Sequence, residues 1–338
     1  MLVFAYDDRI IMPDYVIPFI WNTTQFCDLH LITPAKKMWG MTKPTATALK
    51  HRVHVVHPSD LPGYPHVRQL FDNLFVNYST TPAVFERTCF HRWFALNALT
   101  TNLGDDEYIC LLDTDFLIGM HPSEVLSRCL SKTENRNIQF IAEWAGDKPT
   151  AVGPEISIMT KSYLYGFCKY LLTTYYSPYM RNLLLGEYFD RIGNGLPGGV
   201  CDMSALAAYK RLHGDDSFNL RKLDEPKIIE NFNSFLSADV GTTDSWKISF
   251  QSGKQTLQVA NESRKLIGIH FQGDAKALMH LACEDKSEIT RSTCVEQLGK
   301  EQKFYRKITE KLKRVINRFT QIATDFRWQS NQTRKYRL

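Results

Sequence analysis

Long apolar runs are missing from this sequence, and that absence is the first constraint. No stretch approaches the ~20 apolar residues of a membrane-spanning helix, and Met1-Leu-Val-Phe-Ala-Tyr6 offers no basic region ahead of an apolar core. Neither a spanning segment nor a secretory leader is expected. Paired cysteines are missing too. The eight cysteines contain no Cys-x-x-Cys, and Cys89, Cys110 and Cys168 sit inside apolar runs. A disulfide framework or a cysteine zinc site is therefore not expected, and reduced, buried thiols in a cytoplasmic protein fit the pattern. Internal repeats, low-complexity tracts and nucleic-acid-binding motifs are also absent, which argues against arrays, disordered linkers and nucleic-acid partners.

What is present is an ordinary globular composition, 43% hydrophobic and 23% charged over 338 residues, enough to bury a large core. The charge is unevenly placed. From Lys300 to Leu338 there are twelve Lys and Arg against three Asp and Glu, a net +9, which leaves the preceding residues at −4 within an overall +5. In this tail Phe304, Ile308, Leu312, Val315, Phe319, Ile322 and Phe326 recur at spacings of three and four. The spacing predicts one long basic amphipathic helix, suited to an anionic membrane surface, to an acidic partner, or to packing on its own domain.

Upstream, apolar runs alternate with helical spacings. Strands are predicted at Leu2–Tyr6, Leu29–Ile32, within His51–His57, at Tyr108–Ile118, Ile138–Ala142, Gly153–Met159 and Leu266–His270. Helices are predicted from roughly Pro13 to Asn22, from Thr81-Pro82 (Thr as N-cap, Pro at the first helical position) toward Leu103, and near Ser123–Ser131, Lys161–Tyr175 and Asp202–His213. The helix after Pro82 should bury Phe85, Cys89, Trp93 and Leu96. This alternation predicts an α/β fold with a mostly parallel central sheet flanked by helices.

Two sites could carry chemistry. The run Tyr108-Ile-Cys-Leu-Leu-Asp-Thr-Asp-Phe-Leu-Ile118 reads as a buried strand that delivers Asp113 and Asp115 at its carboxyl end, where open α/β sheets bind ligands. Two carboxylates one residue apart suit a hard divalent cation that in turn holds phosphate oxygens; the bland reading is a solvated turn. The second is His270-Phe-Gln-Gly-Asp-Ala-Lys276: a strand-end imidazole, a glycine that lets backbone approach a ligand, and a point charge. A strand-end His by itself is more often structural. Arg92 falls toward the apolar face of its helix, so it requires a carboxylate or phosphate partner. His51, His54 and His57 read as ordinary sheet or surface residues, and Trp144 as a core residue in preference to a sugar platform. Asp202, which follows a glycine-rich loop, reads equally as a helix N-cap and as an acceptor-side carboxylate.

Taken in this order, Asp113-Thr-Asp115 and His270-Phe-Gln-Gly273-Asp-Ala-Lys276 resemble the motifs of GT-A-fold nucleotide-sugar glycosyltransferases, especially the glycogenin-like and lipopolysaccharide galactosyltransferase group. The resemblance covers roughly residues 1–282. It implies a GT-A-like domain over 1–283, with a nucleotide-sugar half at about 1–160 and an acceptor half at about 161–283, followed by a basic helical extension over 284–338. It implies that Asp113, Asp115 and His270 hold Mn²⁺ or Mg²⁺, and that Asp113, Gln272, Gly273 and Lys276 contact the donor diphosphate. It implies further that Tyr6 and Asp8, in Phe4-Ala-Tyr-Asp-Asp8, hold the nucleoside, and that Arg92 reaches the donor in a catalytic role beside Asp202. The chain departs from the family where Lys276 is followed by Ala-Leu in place of Pro-Trp. The implied activity is sugar transfer from a nucleoside-diphosphate sugar, a UDP-sugar first, to a glycan or lipid-linked glycan, with retention favoured over inversion. The competing readings are a catalytically silent nucleotide- or glycan-binding module of the same fold and, less favoured, a phosphatase of the haloacid dehalogenase type. The expected place is the cytoplasm, with the basic tail as the candidate peripheral membrane contact.

Overall fold

The structure is a computed structural model. It describes residues 1–35, 51–134, 137–144, 151–194, 199–213, 216–223, 227–229, 246–251, 254–259, 262–271, 276, 279–280 and 288–290. Gln272, Gly273 and the basic helix predicted over 300–338 lie outside the described residues. The described strands considered below are β1 (Leu2–Tyr6), β2 (Leu29–Ile32), β3 (Val53–Val56), β4 (Tyr108–Leu112), β5 (Phe116–Ile118), β6 (Phe140–Trp144), β7 (Val152–Thr160), β8 (Ser217–Asn219), β9 (Lys227–Ile229), β10 (Trp246–Gln251), β11 (Lys254–Val259) and β12 (Glu262–His270).

Seven of them form the central sheet, ordered β3-β2-β1-β4-β7-β6-β8. All neighbours are parallel except at β7, which runs against both β4 and β6. The fold is therefore α/β with a mostly parallel sheet flanked by helices. β1 and β4 are apolar nearly throughout because they lie at the centre with both faces covered. Phe4, Ile109, Leu111, Phe140 and Met159 pack from the sheet against Phe90, Trp93, Phe94 and Phe167 from the helices. No described helix is long and apolar enough to cross a membrane. The six cysteines among the described residues are free thiols.

The helix over Ala83–Leu99 departs from its predicted face. Pro82 takes an extended conformation and its carbonyl accepts the first helical bonds, so Pro82, and not Thr81, is the N-cap residue. The buried stripe runs through Glu86, Phe90, Trp93, Phe94 and Leu96, whereas Phe85 is 60% exposed and Cys89 half-buried. The cause is that this helix packs on several sides at once, against the helices Tyr64–Leu74, Lys161–Tyr176 and Asp202–His213, so a single 3.6-residue stripe does not describe it. The Tyr64–Leu74 and Pro178–Gly193 helices had no specific prediction. Trp144 is buried, with the Lys210 ammonium 4.4 Å from its ring centroid, which is the core reading.

The run Tyr108–Ile118 is not one strand. β4 ends at Leu112, a turn closed by the Phe116 N–H donating to the Asp113 carbonyl intervenes, and β5 leaves for a second sheet. There β10, β11 and β12 form an antiparallel meander, and β12 pairs antiparallel with β5 and parallel with β9. The side chain of Asn22, buried in the helix Val16–Phe26, fixes β5 by bonding both the N–H and the carbonyl of Ile118. Gly268 faces Ile118 in the pairing, and a Cβ there would lie 2.3 Å from the Phe116 ring and 2.6 Å from the Leu117 carbonyl. Gly268→Val is expected to push β12 off β5 at a cost of about 1–3 kcal/mol, or more, by overpacking. Urea unfolding and calorimetric Mn²⁺ titration check this, and a variant matching the parent in both would show that β12 is not held by this contact.

Candidate active site

Four chain segments meet at the carboxyl end of the central sheet. The end of β1 and the segment after it bring Tyr6, Asp7, Asp8, Arg9 and Tyr15; the β4–β5 turn brings Asp113 and Asp115; the end of β12 brings His270; and Lys276 follows. The β4–β5 turn is held from two sides: the Asp113 N–H donates to the Glu155 carbonyl on β7 (3.0 Å), and the Phe271 N–H donates to the Asp115 carbonyl (2.9 Å). The pairing of His270 with Phe116 then sets the imidazole beside the second aspartate. Potential ligand atoms of Asp113, Asp115 and His270 all lie within 4.8 Å of one another.

The donor set is two carboxylates and one imidazole, which suits Mg²⁺ or Mn²⁺. Opposite ligands of one such ion lie about 4.2 Å apart at bonds of about 2.1 Å, so a small inward shift closes the cluster around it. His270 Nε2 lies 3.3 Å from Asp115 Oδ1, and Lys276 Nζ lies 2.6 Å from Asp115 Oδ2. For His270, burial opposes the charged ring, but the hydrogen bond and charge of Asp115 win and raise its pKa to about 9. For Asp115, burial works toward the neutral acid, yet the bond from His270 and the charges of His270 and Lys276 hold its pKa at about 2. To ligate an ion, His270 would have to give up this proton.

Asp113 has a different partner. Arg92 Nη1 lies 2.5 Å from Asp113 Oδ1, while Nε (2.9 Å) and Nη2 of the same guanidinium donate to Asp202 Oδ2. Trp93 Nε1 donates to that oxygen as well, at 3.0 Å. Burial raises the pKa of Asp113, and Arg92 opposes the rise. The partner required for Arg92 is thus a pair of carboxylates, one in the β4–β5 turn and one opening the helix Asp202–His213. Asp202 is 2% exposed, and its Oδ2 receives three donors, so its geometry is that of an anchor. The chain reaches it through Gly199, where a Cβ would lie 2.2 Å from the Tyr78 carbonyl and where the Val200 N–H donates to that same carbonyl.

The expected nucleoside residues stand at the end of β1. The Tyr6 hydroxyl bonds the Tyr64 hydroxyl at 3.0 Å, and burial with that neighbour pushes the Tyr6 phenol well above its ordinary pKa. Asp8 Oδ2 lies 3.3 Å from Arg68 Nη2. Five nearby residues were not anticipated: Tyr64 and Arg68 on an unpredicted helix, and Arg9, Tyr15 and Glu155. Glu155 is 4% exposed, its carboxylate lies over Gly153, and its charge contributes to raising His270. Its signal was legible only as an acidic residue inside the apolar run of β7. His54 is exposed and stacks on His30, and His57 caps a short 3₁₀ turn through Ser59, so neither joins the site.

No family model and no curated protein matches the chain. Among solved structures it is similar to the apo form of mouse xyloside xylosyltransferase 1, at 8% identity over 64% of this chain and 84% of that one, with a TM-score of 0.43. It is similar also to galactosyltransferase LgtC in complex with donor and acceptor sugar analogues, at 11% identity over 89% and 96%, with a TM-score of 0.40. A third is a glycosyltransferase involved in glycosylation of the major capsid of PBCV-1, at 8% identity over 83% and 100%, with a TM-score of 0.34. Likenesses this distant leave the function to be argued from the site itself.

Proposed function

We propose that this chain is a metal-dependent glycosyltransferase that moves a hexose from a nucleoside-diphosphate sugar, most simply a UDP-sugar, to a glycan or lipid-linked glycan. The observation that carries the reading is the convergence of Asp113, Asp115 and His270 within 4.8 Å at the carboxyl end of a mostly parallel sheet. The Lys276 ammonium is 2.6 Å from Asp115. A divalent cation held there supplies Lewis-acid stabilisation of the departing diphosphate.

The remaining work falls to the chain's own groups. Lys276 adds a charge-assisted contact to the same leaving group. Tyr6, Tyr64, Asp8 and Arg68 form the polar wall against which the nucleoside lies. Arg92 holds Asp113 in place from behind and, through Asp202, ties that carboxylate to the helix on the acceptor side. Because Asp202 Oδ2 is engaged by Arg92 and Trp93, the geometry favours a retaining course, in which the leaving phosphate takes the acceptor's proton and no carboxylate base is needed. The segment 300–338 is the proposed contact with an anionic membrane surface or an acidic partner.

One observation favours a silent binding module instead: Asp113 and Asp115 already have internal cationic partners in Arg92 and Lys276. Release of nucleoside diphosphate from a panel of UDP-, GDP- and CDP-sugars, with Mn²⁺ and with EDTA, separates the two. Turnover of one donor, stopped by EDTA, is expected. Nucleotide binding with no release across donors and acceptors would establish the silent module.

A further inference from the structure

Two cations share one aromatic ring at the edge of the metal cluster. The Arg9 guanidinium carbon lies 5.2 Å from the centroid of the Tyr15 ring, and Lys276 Nζ lies 5.0 Å from the same centroid. Arg9 is locked in place. Its Nε donates to Asp7 Oδ1 at 2.8 Å, its Nη2 to Asp7 Oδ2 at 2.5 Å, and its own N–H to Asp7 Oδ1 at 3.1 Å, with Asp7 only 3% exposed. The fork toward Asp7 leaves Nη1 outside it, and the Arg9 side chain is 46% exposed. Lys276 is directed at Asp115 over the other contact of the ring.

Cations gathered about one ring repel each other, and the attraction of each for the ring, about 0.5–2 kcal/mol, offsets only part of that. Asp7 and Asp115 balance them in this state. With a divalent ion drawing on the charge of Asp115, Lys276 would be left with less counter-charge, and an anion between Lys276 and Arg9 restores the balance. On the reading of the site as a nucleoside-diphosphate-sugar site, we infer that Arg9 is a second phosphate-binding cation, paired with Lys276 across Tyr15, and that it selects a diphosphate over a monophosphate. Tyr15 is the positioning residue: it seats both cations and need not touch the ligand.

Calorimetry in Mn²⁺ with uridine diphosphate, uridine monophosphate and inorganic pyrophosphate tests this. Arg9→Gln is made together with Asp7→Asn, so that no buried carboxylate is orphaned, and Arg9→Lys keeps the charge but loses the fork. The full chain is expected to prefer the diphosphate. The double variant should lose about tenfold or more of its diphosphate and pyrophosphate affinity while monophosphate affinity changes less than twofold. Arg9→Lys should fall between, and Tyr15→Leu should weaken the diphosphate and leave the monophosphate. An unchanged diphosphate-to-monophosphate ratio in the double variant overturns the assignment. Arg9-dependent binding of pyrophosphate with no binding of either nucleotide supports the phosphate site and sinks the glycosyltransferase reading. Silence of the parent chain toward all three ligands overturns both.

Discussion

Asp115→Asn is expected to lower metal-dependent turnover by at least about 10³-fold, which corresponds to about 4 kcal/mol of transition-state stabilisation. Asparagine keeps the shape of the side chain and its backbone tie to Phe271, so the β4–β5 turn should persist. What it removes is charge. Asp115 is the common partner of His270 and Lys276; without it burial drives His270 to its neutral form, Lys276 loses its counter-charge, and the metal cluster loses one of its two carboxylates. The change also costs some stability, since the Asp115 and His270 side chains are only 13% and 11% exposed, but His270 can shed its proton and Lys276, 30% exposed, can turn to solvent. Donor turnover as a function of Mn²⁺, alongside urea unfolding, is the measurement. Turnover within tenfold of the parent, at unchanged metal dependence, would remove the cluster from the mechanism. A loss of activity that merely follows a loss of folded protein would mark Asp115 as structural.

The second large effect is predicted for Arg92. Its guanidinium is the counter-charge for both Asp113 and Asp202, and the side chains of Arg92 and Asp202 are only 11% and 3% exposed. Breaking a buried pair by removing one partner costs about 3–5 kcal/mol because the other charge is stranded. Arg92→Met keeps the apolar stem that lies by Trp93 and strands two carboxylates at once, so it should reach the upper part of that range, a large share of the 5–15 kcal/mol that holds a typical domain together. Adding Asp202→Asn should recover part of the loss. Arg92→Lys should be intermediate, since an ammonium lacks the fork that spans both acids. Urea midpoints for the three variants decide it: an Arg92→Met cost below about 1 kcal/mol, or no recovery in the double variant, would show that the two pairs are not coupled through this residue.

The sequence was most readable where local pattern and final environment coincide. Tyr108–Leu112 is a short apolar run because β4 is covered on both faces, and Lys161–Tyr176 keeps a single buried face from start to finish. Asp202 opens a helix, as its position suggests, though as the first helical residue and not as the cap. Reading failed where one element serves several neighbours. Phe85 and Cys89 have the spacing of a core stripe, yet the helix turns another face inward because three helices share it. The continuous run to Ile118 hid a turn, because apolar residues on two sheets look the same in one dimension.

The residue types at the site were set by the sequence alone: two carboxylates one residue apart, a strand-end imidazole, a lysine six residues on, and an arginine whose helix position demanded an anion. Hard-cation chemistry follows from those types wherever they meet. That they do meet was decided by the tertiary structure. The antiparallel pairing of β5 with β12, permitted by the missing side chain at Gly268, sets His270 opposite Phe116 and so beside Asp115. The sequence likewise held no sign that Arg92 would join Asp113 to Asp202, or that Tyr15 would seat Arg9 and Lys276. Contacts of this kind depend on hydrogen-bond register and packing between segments far apart in the chain, and local periodicity carries no information about either.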